Sequence, residues 1–273
     1  MNWAAKAAFE SRSGANGQAV RMSSILDSPI IVFIVSLIAQ WLAAYVGGFS
    51  GRGRPVRTDE REDLDIVEAA ILTLLALIIG FSFSMAVTRY DQRKNYEEAE
   101  ANAIGTEYVR ADLLPTTDAA SVRELLQWYL DQRIASYLSN EERGIGQANT
   151  EGAKLQAALW SAILPAADAR PTPVTALVVT GMNDVLNSQS RTQAAWWNRI
   201  PVAAWSLMGL IAVSCNLLLG YGQRRKGALL LLVLPVIVSI SFFLIADIDS
   251  PRGGIIRVLP HSLIALSHSI KAQ

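Results

Sequence analysis

Thr73, Leu77, Gly80, Ser84, Thr88, Asp91 and Asn95 recur at steps of three and four residues. That spacing puts them on one face of a helix, in a segment whose other faces are almost wholly apolar. Hydroxyls and a glycine do poorly against lipid, so the line should meet protein or water. As the wall of a water-filled path, the pore-lining set would be Thr73, Leu77, Gly80, Phe81, Ser84 and Thr88. Leu77, Phe81 and Phe83 would form an apolar constriction of the kind that gates by dewetting. Just beyond lie Arg89, Asp91, Arg93 and Lys94, which repeated by rotational symmetry would set ion preference at a mouth. A blander chemistry fits the same residues. Gly80 and Ser84 form a small-xxx-small pair that lets helices pack closely, and the charge cluster suits a solvated helix surface. The spacing leaves both readings open.

Other reactive groups point away from catalysis. The chain has two histidines, His261 and His268, and one cysteine, Cys215, which leaves little for a His/Cys metal site and excludes an intramolecular disulfide. No nucleophile elbow, phosphate-binding loop, dinucleotide fingerprint or His-Glu-x-x-His motif occurs, and no carboxylate pair is isolated in an apolar setting. We therefore expect no enzyme, no catalytic residue, no metal and no cofactor. Asp247 and Asp249 oppose the dipole at a helix C-terminus. They read as a structural turn offset by Arg252 or Arg257, with cation binding or proton transfer as the alternative. Glu97, Glu100, Asn102, Glu107, Arg110 and Asp112 alternate in sign and suit ion pairing between helices of an oligomer.

The elements that position these groups follow from the charge distribution. Of 273 residues 51% are apolar and 18% charged, with 24 basic and 24 acidic side chains. Windows 30–49, 69–88, 201–221 and 227–246 carry no charge at all. One soluble globule would interleave charge with core. These windows, each long enough to span a bilayer, predict four transmembrane helices. Zero net charge gives no pull toward nucleic acid.

The predicted organisation is a lead-in over 1–29 that is not a usual signal peptide, a helix pair over 30–88, an extramembrane helical domain over 89–200, a second pair over 201–246 and a tail over 247–273. The loop over 50–65 is basic, then acidic. No proline interrupts the sequence from 66 to 113, so the second span should continue as one helix of about 70 Å, more than twice the hydrocarbon thickness. Three amphipathic helical patterns fill 118–197, the second stopped by Pro165, and 139–152 reads as a loop. Trp196, Trp197 and Trp205 form an interfacial belt before the third span. The turn 222–226 makes the last two spans antiparallel neighbours, and Pro235 should kink the fourth. Basic residues near the membrane are nearly balanced between the two sides, so the side carrying 89–200 stays open.

Three stretches carry a family resemblance: LLALIIGFSFSMAVTRYDQRKNYEEAEANAIGTEYVRADLLP (74–115), RIPVAAW (199–205) and DIDSPRGGIIRV (247–258). With the order two spans, helical insert, two spans and short tail, they make the chain resemble the bacterial bestrophin-like family over about 30–270. The resemblance implies an all-α, bestrophin-like membrane fold with the second helix extended out of the bilayer. It also implies a homopentameric anion channel with that helix lining the pore, in a bacterial inner membrane, with lipid, inorganic ions and further copies of the chain as partners. The acidic calcium clasp of animal bestrophins has no counterpart here. A non-conducting membrane scaffold or envelope sensor, acting through the helical domain, is the alternative.

Overall fold

The computed structural model describes residues 28–51, 58–139, 142–222 and 230–272. Among the described residues there is no strand. The helices are α1 (Pro29–Ser50), α2 (Thr58–Arg110), α3 (Thr116–Leu138), α4 (Glu142–Ala169), α5 (Pro173–Trp197), α6 (Val202–Gly222), α7 (Leu230–Asp249) and α8 (His261–Lys271), with a 3-10 turn, Ala111–Leu113, after α2. Helices α1, α2, α6 and α7 each contain a stretch long and apolar enough to cross a membrane. This is an all-α membrane protein. Most of the lead-in, the basic half of the 50–65 loop and most of the 222–226 turn lie outside the described residues.

The chain divides into two compact units. One comprises 1–88 and 199–257, the other 89–198 and 258–273. In the first, α1 starts with Pro29 in its first turn, where a missing N–H costs nothing, and ends as the Gly51 N–H bonds back to the Gly47 and Phe49 carbonyls. Its outer face is apolar: Ile30, Ile34, Ile38, Trp41 and Tyr45 are exposed, while Gln40, Ala43, Ala44 and Gly47 are buried. A lipid solvent permits this inversion. α1 meets α6 at backbone distance. A Cβ on Gly47 would strike the Leu217 carbonyl oxygen, and one on Gly220 that of Ala44. Two edge-to-face ring pairs complete the packing, Phe33 with Phe243 and Trp205 with Phe242.

The DIDSPRGG segment closes this unit. Asp247 accepts from the Ile255 N–H (2.6 Å) and the Ile256 N–H (2.9 Å). Asp249 accepts twice from the Ile200 N–H (3.1 and 3.2 Å), with Arg199 at 3.8 Å. The structural-turn reading holds. Backbone amides and Arg199 are among the groups that offset the two carboxylates.

The second unit packs α3, α4, α5 and α8 with the later part of α2 around Ile104, Val122, Leu126, Leu159, Met182 and Leu263. Three boundary expectations fail. α2 begins at Thr58 rather than 66, because the acidic 59–65 run suits a first helical turn. The 139–152 loop shrinks, since α4 already runs from Glu142. α4 also continues through Pro165 to Ala169. Leu159, Ile163 and Ala166 bury one face on both sides of the proline, while Pro165 is exposed. The carbonyl its ring frees can thus be hydrated, and packing outweighs the lost hydrogen bond. Beyond the end of α7, the helical part of the described tail is 261–271, and its N-terminus is held by the buried Glu97 carboxylate, which accepts from the Leu263 N–H at 3.0 Å.

Candidate functional site

In the first unit, α2 has two contrasting faces. Leu75, Ser82 and Ala86 are buried. Directly opposite at about 100° per residue, Thr73, Leu77, Gly80, Ser84 and Thr88 are all exposed. Phe81 beside them is 63% exposed and Leu77 52%. An added Cβ at Gly80 would find nothing within 4 Å. Among the described residues Gly80 is therefore no packing glycine, unlike Gly220 and Gly47; the latter reads in the sequence as a helix breaker but lies inside α1. The stripe is less costly to expose than its composition implies. The Thr73 hydroxyl donates to the Ala69 carbonyl (2.8 Å) and the Thr88 hydroxyl to that of Ser84 (2.9 Å), leaving oxygen lone pairs outward.

The mouth cluster does not stay together. In the second unit Asp91, Lys94 and Asn95 are exposed, but Arg93 is only 1% exposed and shares the buried face with Glu97 and Glu100. Arg89 is half-buried. Of the acids expected to pair between helices, Glu97, Glu100 and Glu107 are all buried inside the unit, and Glu100 makes its pair there, with Arg133 of α3. Glu100 is the centre of a buried clamp. Arg133 grips both its oxygens, and Tyr137 (3.4 Å) and Thr192 (3.2 Å) donate to it as well. Burial pushes the Arg133 guanidinium down, but the Glu100 carboxylate more than offsets this and the net shift is upward. Burial, then Glu100, raise the Tyr137 phenol. Of the remaining members, Asp112 pairs with Arg123 (2.5 Å), and Asn102 and Arg110 line a groove between α2 and α5. Among the described residues no cluster of three or more His, Cys, Asp or Glu could hold a metal ion.

Sequence reasoning missed a polar trio inside the first unit. Asn216 donates to Gln40 (3.1 Å) and to the Ala212 carbonyl (2.8 Å), and Gln40 donates to Ser239 (3.2 Å). All three are buried, tying α1, α6 and α7 together as polar glue. The available signal was a lone amide in each of two uncharged windows.

With this geometry in hand, comparison with known proteins places the chain. A model described as the Bestrophin-like domain matches residues 31–263. The chain belongs to the bestrophin-like family. No curated protein matches this bestrophin-like chain significantly. Among solved structures it is similar to a bacterial bestrophin homologue from Klebsiella pneumoniae. One crystal structure of a leucine-to-threonine variant has a TM-score of 0.60 at 15% identity, covering 88% of this chain and 96% of that one. A tryptophan-to-alanine variant has 0.60 at 14%, covering 88% and 94%. A structure phased on zinc has 0.56 at 17%, covering 87% and 95%. At such identities the likeness is one of fold, and it confirms the bestrophin-like arrangement.

Proposed function

We propose that the protein is a ring-shaped homo-oligomer, a pentamer, that conducts small inorganic ions through the bacterial inner membrane, with α2 of each subunit lining the path. One observation carries this reading. A face of small and hydroxylated residues on a membrane-length helix is exposed among the described residues, and it lies opposite that helix's buried face. Rotational symmetry would bring copies of the face around one axis, where Thr73, Ser84 and Thr88 meet water rather than lipid. Phe81 and Leu77, unpacked in the protomer, are the candidate constriction. The charged second unit lies outside the bilayer. Anion preference follows the family resemblance. At the mouth the exposed Asp91 and Lys94 oppose each other, so selectivity by charge is modest.

The test is flux in liposomes containing the purified oligomer. Chloride or sodium leakage above that of empty vesicles supports the proposal, and no flux from a verified oligomer defeats it. The scaffold alternative draws on apolar side chains exposed in the second unit, Trp128, Val109 and Leu138 among them. It gains if a non-conducting oligomer retains a single stoichiometric partner through that surface.

A further inference from the structure

Glu107 has no place in the conduit. It is 0% exposed, and among the described residues neither carboxylate oxygen has a hydrogen-bond partner. Buried carboxylates elsewhere in the protein have donors: Glu97, Glu100, Asp247 and Asp249 all do. An ionised carboxylate without donors is costly to bury, so the site favours the neutral acid. Its surroundings are made for it. A Cβ on Gly181 of α5 would strike both the Glu107 carboxylate and the Arg110 guanidinium, so the glycine is a notch that admits the two together. Arg110 nevertheless spends a donor at 3.4 Å, a long contact, on the Leu177 carbonyl.

Arg110 and Gly181 are also wall residues of the groove between α2 and α5, about 420 Å³, which includes Asn102, Thr106, Asp184 and Arg191. The charged groups acting on Glu107 are Arg110 from its own helix and Asp184 from α5. Arg110 therefore has two acceptors within reach of one side chain, the Leu177 carbonyl and the Glu107 carboxylate. Only the second changes its charge.

We propose that Glu107 and Arg110 form a proton-operated switch in the groove wall: with Glu107 protonated, Arg110 stays on Leu177 and serves the groove; with Glu107 ionised, Arg110 turns inward to pair with it. Acid thus adds positive charge to the groove and alkali withdraws it. Burial, with Asp184 adding to it and Arg110 opposing, pushes the Glu107 carboxyl up to about 8, which puts the change near physiological pH. The inference concerns the second unit alone and stands whether or not the protein conducts.

The experiment is pH-difference infrared spectroscopy of the full-length oligomer between pH 6 and 10, following the C=O stretch of a protonated carboxyl. The wild type should lose such a band with a midpoint near 8, and Glu107→Gln, which mimics the neutral acid, should lack that band. Arg110→Gln should move the midpoint up by roughly one pH unit or more, because the cation that stabilises the ionised form is gone. A Glu107 band absent at pH 6, or still present at pH 10, overturns the switch. So does an unchanged midpoint in Arg110→Gln, which would leave Arg110 without a part in it. If Glu107→Gln does not fold, the wild-type and Arg110→Gln titrations decide between these outcomes.

Discussion

Adding one methyl group at two glycines separates a lining face from a packing face. Gly80 and Gly220 both sit inside membrane-length helices, and in the interior of a helix alanine is favoured over glycine by about 0.8–1 kcal/mol. Gly80 has open space where the methyl would go, so Gly80→Ala should keep that gain. For a chain of this size a gain of about 1 kcal/mol raises Tm by roughly 2–4 °C. Gly220→Ala drives its methyl into the Ala44 carbonyl oxygen, a backbone atom with no rotamer to give. Overpacking costs typically 1–3 kcal/mol, and here it must also part α1 from α6, so the net effect should be a loss at the upper end of that range. Thermal unfolding of the detergent-solubilised oligomer, followed by intrinsic fluorescence and size-exclusion chromatography, reads both. In liposomes Gly80→Ala should assemble normally and conduct less, because one methyl per subunit enters the path. If Gly80→Ala lowers Tm or breaks the oligomer, Gly80 is a contact between subunits and the stripe does not face a shared hollow.

Phe81→Ala should raise ion leakage in the same liposomes if its ring obstructs the path; unchanged flux would remove Phe81 from the constriction. Arg133→Ala leaves the Glu100 carboxylate buried without its cation and should cost about 3–5 kcal/mol, seen as a lower unfolding temperature. Arg133→Lys should recover only part of this, since an ammonium cannot grip both oxygens as the guanidinium does. Asn216→Leu should weaken the α1–α6–α7 contact by about 1 kcal/mol, measured by chemical unfolding in detergent. For Glu107 the folded protein holds the proton more tightly than the unfolded chain. Its contribution to stability is therefore full below about pH 4.5 and lost as pH rises through about 8. The wild type should lose stability relative to Glu107→Gln between about pH 4.5 and 8, by no more than roughly 5 kcal/mol in all, with no further loss above that, and a flat difference across this range would contradict the assignment.

Four uncharged windows, a proline-free run through the second of them and the regular three-and-four stripe depend only on local composition and period. The four spans, the long α2 and the family were accordingly legible in the sequence. So was the turn at Asp247 and Asp249, because paired acids at a helix C-terminus demand donors wherever they lie. What each face of α2 meets was not. Asp91 and Arg93 are two residues apart and both charged, yet one is exposed and the other buried, because a step of two on a helix moves to nearly the opposite side. Glu97, Glu100 and Glu107 read as acids suited to pairing between helices, but which groups would meet them was not legible: their burial rests on the α8 amide, Arg133 and the Gly181 notch, which are supplied from far along the chain. The continuation of α4 through Pro165 had the same origin, since a local rule against proline yields when Leu159, Ile163 and Ala166 are buried around it. Local pattern decides which elements form because backbone hydrogen bonds and hydropathy act within a few turns. Which charged groups are withdrawn from water is decided by contacts between residues distant in sequence, and only the tertiary structure holds those.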